Sequence, residues 1–478
     1  MQTDRRLKLR SRMGCTRCKR RRQKCGEQWP WCSRCLEDGV SCVYATPRPD
    51  KRLKTPLTPI RPKLDVYNLP CIFLGAKAFR HPSHSVYLDY FVKRASAAIA
   101  CHDRIQQDTC HMIVSVASVY PCILYSALLF SAIHKTSAVG GIPGADAWDV
   151  PLLELNALTL SMLREELHQT HGDYKAIAAA SLMLSTAELR YNPEGSAWRM
   201  HFESAKRLLV LAGKQDADDA LSRFIERRVA LIQFLIALPT PWSTDRRCIS
   251  SELQQPDDLC IATVGTIDST LACVQEVSLA FEYIGQFPSL TNDIDRCDNS
   301  TTSSAMALSL VVFLQRVIDR DQETPPILSN DIRESCAADE VDEYRICNRI
   351  AQHMALLCTY RYGLGLRRDT AIVAESVDAI IDLAHSISKQ KGSHPYLCLT
   401  TSLFIAGCEA GPERVADVKA LLETHYEVTK SQSTRKSIDM LSSLWSSREV
   451  GDIHMASDSM GKNRSIAFSQ QWRNYIPY

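Results

Sequence analysis

The chain has no glycine-rich loop able to cradle phosphates, no G-x-S-x-G nucleophile elbow and no H-E-x-x-H pair. The commonest signatures of phosphoryl transfer, acyl transfer and zinc proteolysis are therefore missing. It also lacks the acidic metal-binding runs of helical synthases: Asp218, Asp219 and Asp257, Asp258 are isolated pairs that read as helix starts or loop charges. Catalysis has no visible equipment, and no enzyme is expected. The first twelve residues, MQTDRRLKLRSR, hold no apolar stretch. No secretory leader is expected, and the cysteines are expected in a reducing compartment, as metal ligands before disulfides. Alternating apolar and polar runs are scarce, which disfavours a sheet.

Excess charge is also absent, at +2 over 478 residues, but only because two parts cancel. Residues 1–63 hold 18 Lys or Arg against 5 Asp or Glu, a local +13, and the remainder holds 38 against 49, or −11. A basic segment suited to a polyanion is attached to a body that is not. At 45% hydrophobic and 23% charged, most of the chain is expected to fold. Residues 112–133, MIVSVASVYPCILYSALLFSAI, are 22 consecutive uncharged positions, enough to span a bilayer. A central Pro121, four serines and poorly charged flanks point instead to two buried helices, the second starting at Pro121, and no membrane is expected.

Of 19 cysteines, six stand between positions 15 and 42: Cys15, Cys18, Cys25 and then Cys32, Cys35, Cys42. Each half reads C-x2-C-x6-C, with an offset of 17 at all three positions. Three thiolates per half leave a tetrahedral structural zinc one ligand short. Two zincs sharing two of the six sulfurs would each have four ligands. A single zinc would leave two thiols unused, disulfides would need an oxidising compartment, and iron–sulfur ligation uses other spacings. So short a segment needs metal to fold. The halves differ in charge. Lys19, Arg20, Arg21, Arg22, Gln23 and Lys24 fill the first long gap, whereas the second carries Leu36, Glu37, Asp38, Gly39, Val40 and Ser41. The first half suits an anion: lysine and arginine neutralise phosphates, and an arginine fork also fits guanine O6 and N7.

GCTRCKRRRQKCGEQWPWCSRCLEDGVSC closely resembles the fungal binuclear zinc cluster, the Zn2Cys6 DNA-binding domain of transcription regulators, in its six cysteines, its basic run, Pro30 and Gly39. The resemblance implies two zinc ions held by Cys15, Cys18, Cys25, Cys32, Cys35 and Cys42, with Cys15 and Cys32 bridging. It implies double-stranded DNA as partner, a CGG-like triplet read by the end of the first helix, and a nuclear location. Arg21 and Arg22 are expected at base edges, and Lys19, Arg20 and Lys24 at phosphates. Gly26 departs from the aspartate frequent at that place in the family. AWRMHFESAKRLL (197–209) and SLFIAGCEA (402–410), followed by LSSLW up to Trp445, resemble the fungal-specific transcription factor region. That resemblance implies a helical regulatory body meeting the transcription machinery or co-regulators and, in some members, a small-molecule effector.

The expected fold is mostly α: a basic arm (1–12), the zinc module (13–44), a proline-rich linker (45–83), a large all-α domain (84–450) and a tail (451–478). Helices are expected near 177–189, 197–212, 219–237, 266–285, 304–319, 340–361, 371–388, 394–408, 412–425 and 433–447, with Leu155, Leu158, Leu160, Leu163 and Leu167 marking another. No heptad run follows the cysteines, so dimerisation through a coiled coil is not expected. The expected function is a zinc-dependent regulator of RNA polymerase II genes, serving a metabolic pathway or metabolite gene cluster. The alternative is a zinc-module scaffold that binds RNA or protein without reading a DNA sequence.

Overall fold

Pro121 decides how the longest uncharged stretch folds. A computed structural model of the chain describes residues 15–25, 32, 34–35, 38, 79–81, 84–139, 150–168, 173–192, 195–213, 219–238, 265–285, 287, 300–388, 394–452, 475 and 477–478. The chain divides into two units, residues 1–64 and 65–478. The first contributes α1 (Thr16–Arg20). The second begins with α2 (His84–Lys93), a 3-10 turn (Ala95–Ile99) and α3 (Asp103–Val116), and α4 (Pro121–Ala138) follows. Residues 112–133 thus divide between two helices. Proline at the first position of α4 supplies a preset φ where no backbone donor is needed. Among the described residues, no helix is long and apolar enough to cross a membrane.

The body continues as α5 (Val150–His168), α6 (Tyr174–Tyr191), α7 (Ala197–Ala212) and α8 (Ala220–Ala237), then β1 (Thr266–Ile267), α9 (Gln275–Ile284), α10 (Ser300–Glu323), β2 (Ile327–Leu328) and α11 (Asn330–Arg333). It closes with α12 (Ala338–Cys358), a π turn (Thr359–Gly363), α13 (Ala371–Ser386), α14 (Leu399–Glu409), α15 (Val415–Thr429) and α16 (Gln432–Asp452). One group of helices packs around α4 and α6, another around α12 and α14; α8 against α9 and α16 against α6 connect them into one apolar core. Tyr475 and Tyr478 are buried in that core. The fold is mostly α, as the periodicity indicates.

Local chemistry sets the boundaries. Asp219, one of the isolated acidic pairs, caps α8 by accepting the Ser222 N–H at 2.8 Å. The buried face of α5 runs through Leu152, Leu155, Thr159, Met162 and Glu166, while Leu160 and Leu167 face outward, so not every marking leucine belongs to the core. Cys122, Cys358 and Cys408 are buried, and desolvation pushes the Cys122 thiol up to about 12.

The helix expected over 266–285 needs correction. Its first nine residues, 266–274, are strand and turn, and the helix begins at Gln275. Gly265 and Ile267 pair in parallel with the 327–329 segment, Ile327 N–H donating to Gly265 and Ser329 N–H to Ile267. Asp268 then accepts the N–H groups of Thr270 and Leu271, and Ala272 adopts a left-handed φ of 54°. An aspartate turn competes with helix here, and the strand partner lies some 60 residues away in sequence, beyond any local period. Residues 394–398 are likewise no α-helix: His394 caps a 3-10 turn opened by Pro395 before α14 begins.

Both body motifs have packing reasons. In α7, Trp198, Phe202, Ala205 and Leu208 form one buried stripe. In α14 all eleven residues are buried. Gly407 lets α15 and α16 approach closely, since an added Cβ would stand 3.0 Å from Val418 and 2.7 Å from Leu441. The Trp445 indole N–H donates to the Gly407 carbonyl at 2.9 Å.

His425 on α15 is fully buried, its Nε2–H donating to the Tyr396 carbonyl at 3.1 Å. Desolvation, reinforced by Arg190, holds its pKa down to about 3. A depressed folded pKa means this contribution is complete above the ordinary histidine range near 6.5 and is lost as pH falls toward the folded value. Between pH 6.5 and 5 the loss is about 2 kcal/mol from this one group. Urea denaturation at the two pH values checks it: His425→Gln must flatten the pH dependence by that amount, and an unchanged slope rejects the assignment.

Candidate functional site

The site begins with a small hydrogen bond made twice. Cys15 Sγ accepts the Cys18 N–H at 3.4 Å, and seventeen residues on Cys32 Sγ accepts the Cys35 N–H at 3.4 Å. In each half a C-x2-C pair thus opens a helical turn with its first sulfur in the capping place of a serine or aspartate. The halves bring Cys15, Cys18, Cys32 and Cys35 together, all four sulfurs buried and within 4.8 Å of one another. Cys15 Sγ lies 3.9 Å from Cys32 and 3.7 Å from Cys35, and Cys18 Sγ lies 3.6 Å from Cys32. Sulfurs bound at 2.3 Å to one tetrahedral zinc stand about 3.8 Å apart, so the donors and their spacing fit that metal. Cys25 is buried beside them, its sulfur accepting the Cys15 N–H at 3.4 Å. Cys42, Pro30, Gly26 and Gly39 lie outside the described residues, as does most of the proline-rich linker.

Around the sulfurs the charge is sorted. Lys19, Arg20, Arg21, Arg22 and Lys24 are all exposed. Arg17 is half-buried and turned to the other half of the repeat: Nη2 donates to Asp38 at 2.8 Å and Nη1 lies 3.7 Å from Cys35 Sγ. Asp38 and Cys35 hold the Arg17 guanidinium more firmly in its charged form. Arg17 therefore positions a sulfur and braces the halves, a role the sequence reading missed. The acidic Asp38, twenty-one positions onward in the second half, was the available signal.

The helix that carries the basic run ends abruptly. Arg22 N–H donates to the Lys19 carbonyl at 3.1 Å and Gln23 N–H to the Cys18 carbonyl at 3.0 Å, the paired bonds of a Schellman ending. Arg22 occupies the left-handed position with φ 54°. A glycine usually stands there; a side-chain-bearing residue gives up about 1–2 kcal/mol by comparison. The reversal aims the last two arginines beyond the helix, with Arg21 as its C-cap. Among the described residues these side chains are exposed, so they form a cationic edge on the cysteine-pinned turn, chemistry suited to a phosphate backbone and base edges.

Comparison with known proteins agrees in both units. Residues 13–52 match the family described as fungal Zn(2)-Cys(6) binuclear cluster domain, and residues 86–476 match that described as fungal specific transcription factor domain. An uncharacterized transcriptional regulatory protein of Schizosaccharomyces pombe is 44% identical over 48 residues, 10% of this chain and 9% of that protein. The chain therefore spans only a small part of that relative's length. No solved structure matches the chain.

Proposed function

Because the chain belongs to the fungal specific transcription factor family and carries that family's two-zinc, DNA-binding cluster, we propose that it works in the nucleus as a sequence-specific regulator of RNA polymerase II genes. The six ligands are Cys15, Cys18, Cys25, Cys32, Cys35 and Cys42. Bound zinc supplies the fold that holds α1 against the second half. Lys19, Arg20 and Lys24 neutralise phosphates and set the register on duplex DNA. Arg21 and Arg22 reach the edges of a CGG-like triplet in the major groove. The observation that carries this reading is the exposed cationic edge built directly on the four-sulfur cluster. The arm, module, linker, body and tail divide at residues 12, 44, 83 and 450, and the end of the tail docks through Tyr475 and Tyr478. The body recruits co-regulators rather than catalysing a reaction, and the genes controlled serve a metabolic pathway.

Selection of sites from random duplex DNA by the full chain, with zinc and again with a chelator, tests the reading. Zinc-dependent enrichment of a CGG-like triplet is expected; equal retention of all sequences, or preference for single-stranded RNA, would replace it with the scaffold alternative. Arg22→Ala is expected to weaken binding to the selected site by about 1–3 kcal/mol and to scrambled duplex by much less. Arg22→Gly separates side chain from backbone: it suits the left-handed turn and must lose the same discrimination with no loss of resistance to chelator. Equal loss on selected and scrambled DNA would make Arg22 a phosphate contact.

A further inference from the structure

Two arginines are buried in the body with no acidic partner among the described residues. Arg190 on α6 is 4% exposed and Arg228 on α8 is 3% exposed. Both line one cavity of about 60 Å³, around which, among the described residues, there is no aspartate or glutamate. Arg228 donates from Nη2 to the Ile99 carbonyl at 2.5 Å and from Nη1 to the Tyr478 hydroxyl at 3.4 Å. The Arg190 guanidinium stacks 4.6 Å from the centre of the Tyr478 ring. Nε and Nη1 of Arg190, Nε of Arg228 and the Thr270 hydroxyl are buried with no hydrogen-bond partner. A guanidinium cannot relieve this by losing its proton. Burying such a charge without a counter-ion is strongly unfavourable, and here two converge.

No lining carboxylate offers the missing negative charge; Cys101 Sγ lies 3.3 Å from Cys398 Sγ, and that contact, with the two arginines, draws the Cys101 thiol below its ordinary value. Cys101 and Cys398 each donate their thiol to the Thr270 carbonyl, at 3.5 and 3.4 Å. Asp268, in the adjoining turn, accepts the N–H groups of Thr270 and Leu271 through Oδ1. The rest of the wall, including Phe234, Leu235 and Met354, is mostly apolar. The recess therefore favours an anion at one end and a hydrocarbon body at the other. A water needs about 10–15 Å³ of such space, so the cavity holds about four to six water-sized groups. A planar carboxylate matches the guanidinium fork, and apolar walls disfavour a fully hydrated inorganic anion.

We propose that this cavity is a binding site for a small aliphatic monocarboxylate held by Arg190 and Arg228. The site stands on body residues alone and holds whether or not the zinc module reads DNA. The test is thermal unfolding of the zinc-loaded full chain titrated with sodium butyrate, with butyramide and sodium chloride as controls at equal ionic strength. Butyrate is expected to raise Tm saturably, by about 2 °C or more at large excess over its Kd, and the controls are not. Arg190→Met is expected to raise Tm without ligand, because it removes an uncompensated charge, and to weaken butyrate binding at least about tenfold. A purely structural arginine would lower Tm on substitution. Equal shifts with butyrate and butyramide, no shift with either, or an undiminished response in Arg190→Met would each overturn the proposal. If that variant does not fold, the comparison of butyrate with butyramide on the unmodified chain decides.

Discussion

Cys15→Ser is expected to release both zinc ions and abolish zinc-dependent DNA binding, and Cys32→Ser to do the same. The reason lies in which sulfurs meet. Cys15 and Cys32 touch each other at 3.9 Å, and each also touches a sulfur from the opposite half, Cys35 at 3.7 Å and Cys18 at 3.6 Å. In the proposed two-zinc arrangement they are the shared edge of two tetrahedra, so removing either would leave both ions with three protein ligands. In that arrangement a sulfur outside the shared edge, such as Cys25, would belong to one ion only. Apolar burial offers little compensation, because the buried group in the described part of this unit consists of cysteines alone. Structural zinc contributes about 10–16 kcal/mol to folding in comparable peptides, far more than so short a segment gathers otherwise. Zinc content of the purified full chain, read by mass spectrometry of the metal, should fall from two to none in Cys15→Ser and Cys32→Ser, whereas Cys25→Ser keeps at least one. A tightly held zinc remaining in Cys15→Ser would refute the shared edge.

The same contrast explains what could be read in advance. Six cysteines at a repeated spacing constrain chemistry directly, because a metal has fixed coordination demands whatever surrounds it. Helices with strong local punctuation were equally legible: α7 spans Ala197–Ala212 and α4 starts at Pro121, both as the periodicity and the proline indicate. What escaped depended on distant partners. The β1 pairing near Ile267 needs residues 327–329, and no pattern within 266–285 announces it. Arg190 and Arg228 occupy positions in helical segments that look like ordinary solvent-facing charges, and only the packing of α6 and α8 reveals them as buried. Arg17 reads as one more cation in a basic run until the fold sets it beside Asp38. Helix faces with charges therefore overstate exposure, and the most informative residues of this body are those that break the pattern inward.

Arg361→Met is expected to cost the body about 3–5 kcal/mol. Arg361 sits in the π turn after α12 and donates from Nε to Glu409 Oε2 at 2.7 Å. The two side chains are 17% and 4% exposed, so the pair is substantially desolvated. Burial already pushes the Glu409 carboxyl up from its ordinary value, with Arg361 and Arg448 opposing that shift. Removing Arg361 withdraws the cation that makes direct contact, and the carboxylate cannot reach water in its place. The sign of the pH effect follows. A raised folded pKa gives a contribution that is complete below the ordinary glutamate range and is lost as pH rises through the folded value. Arg361→Met raises that pKa further, so its deficit must be largest near pH 7 and shrink on acidification, as Glu409 takes up a proton. Glu409→Gln placed on top of Arg361→Met removes the stranded charge and should recover much of the loss at pH 7. Urea denaturation of both variants at pH 7 and pH 5 decides it: a deficit independent of pH, or no recovery in the double variant, would show that Arg361 acts through packing alone. Zinc-dependent DNA selection by the folded fraction should survive either change, because the cysteine cluster takes its structure from metal ligation and not from the body's core.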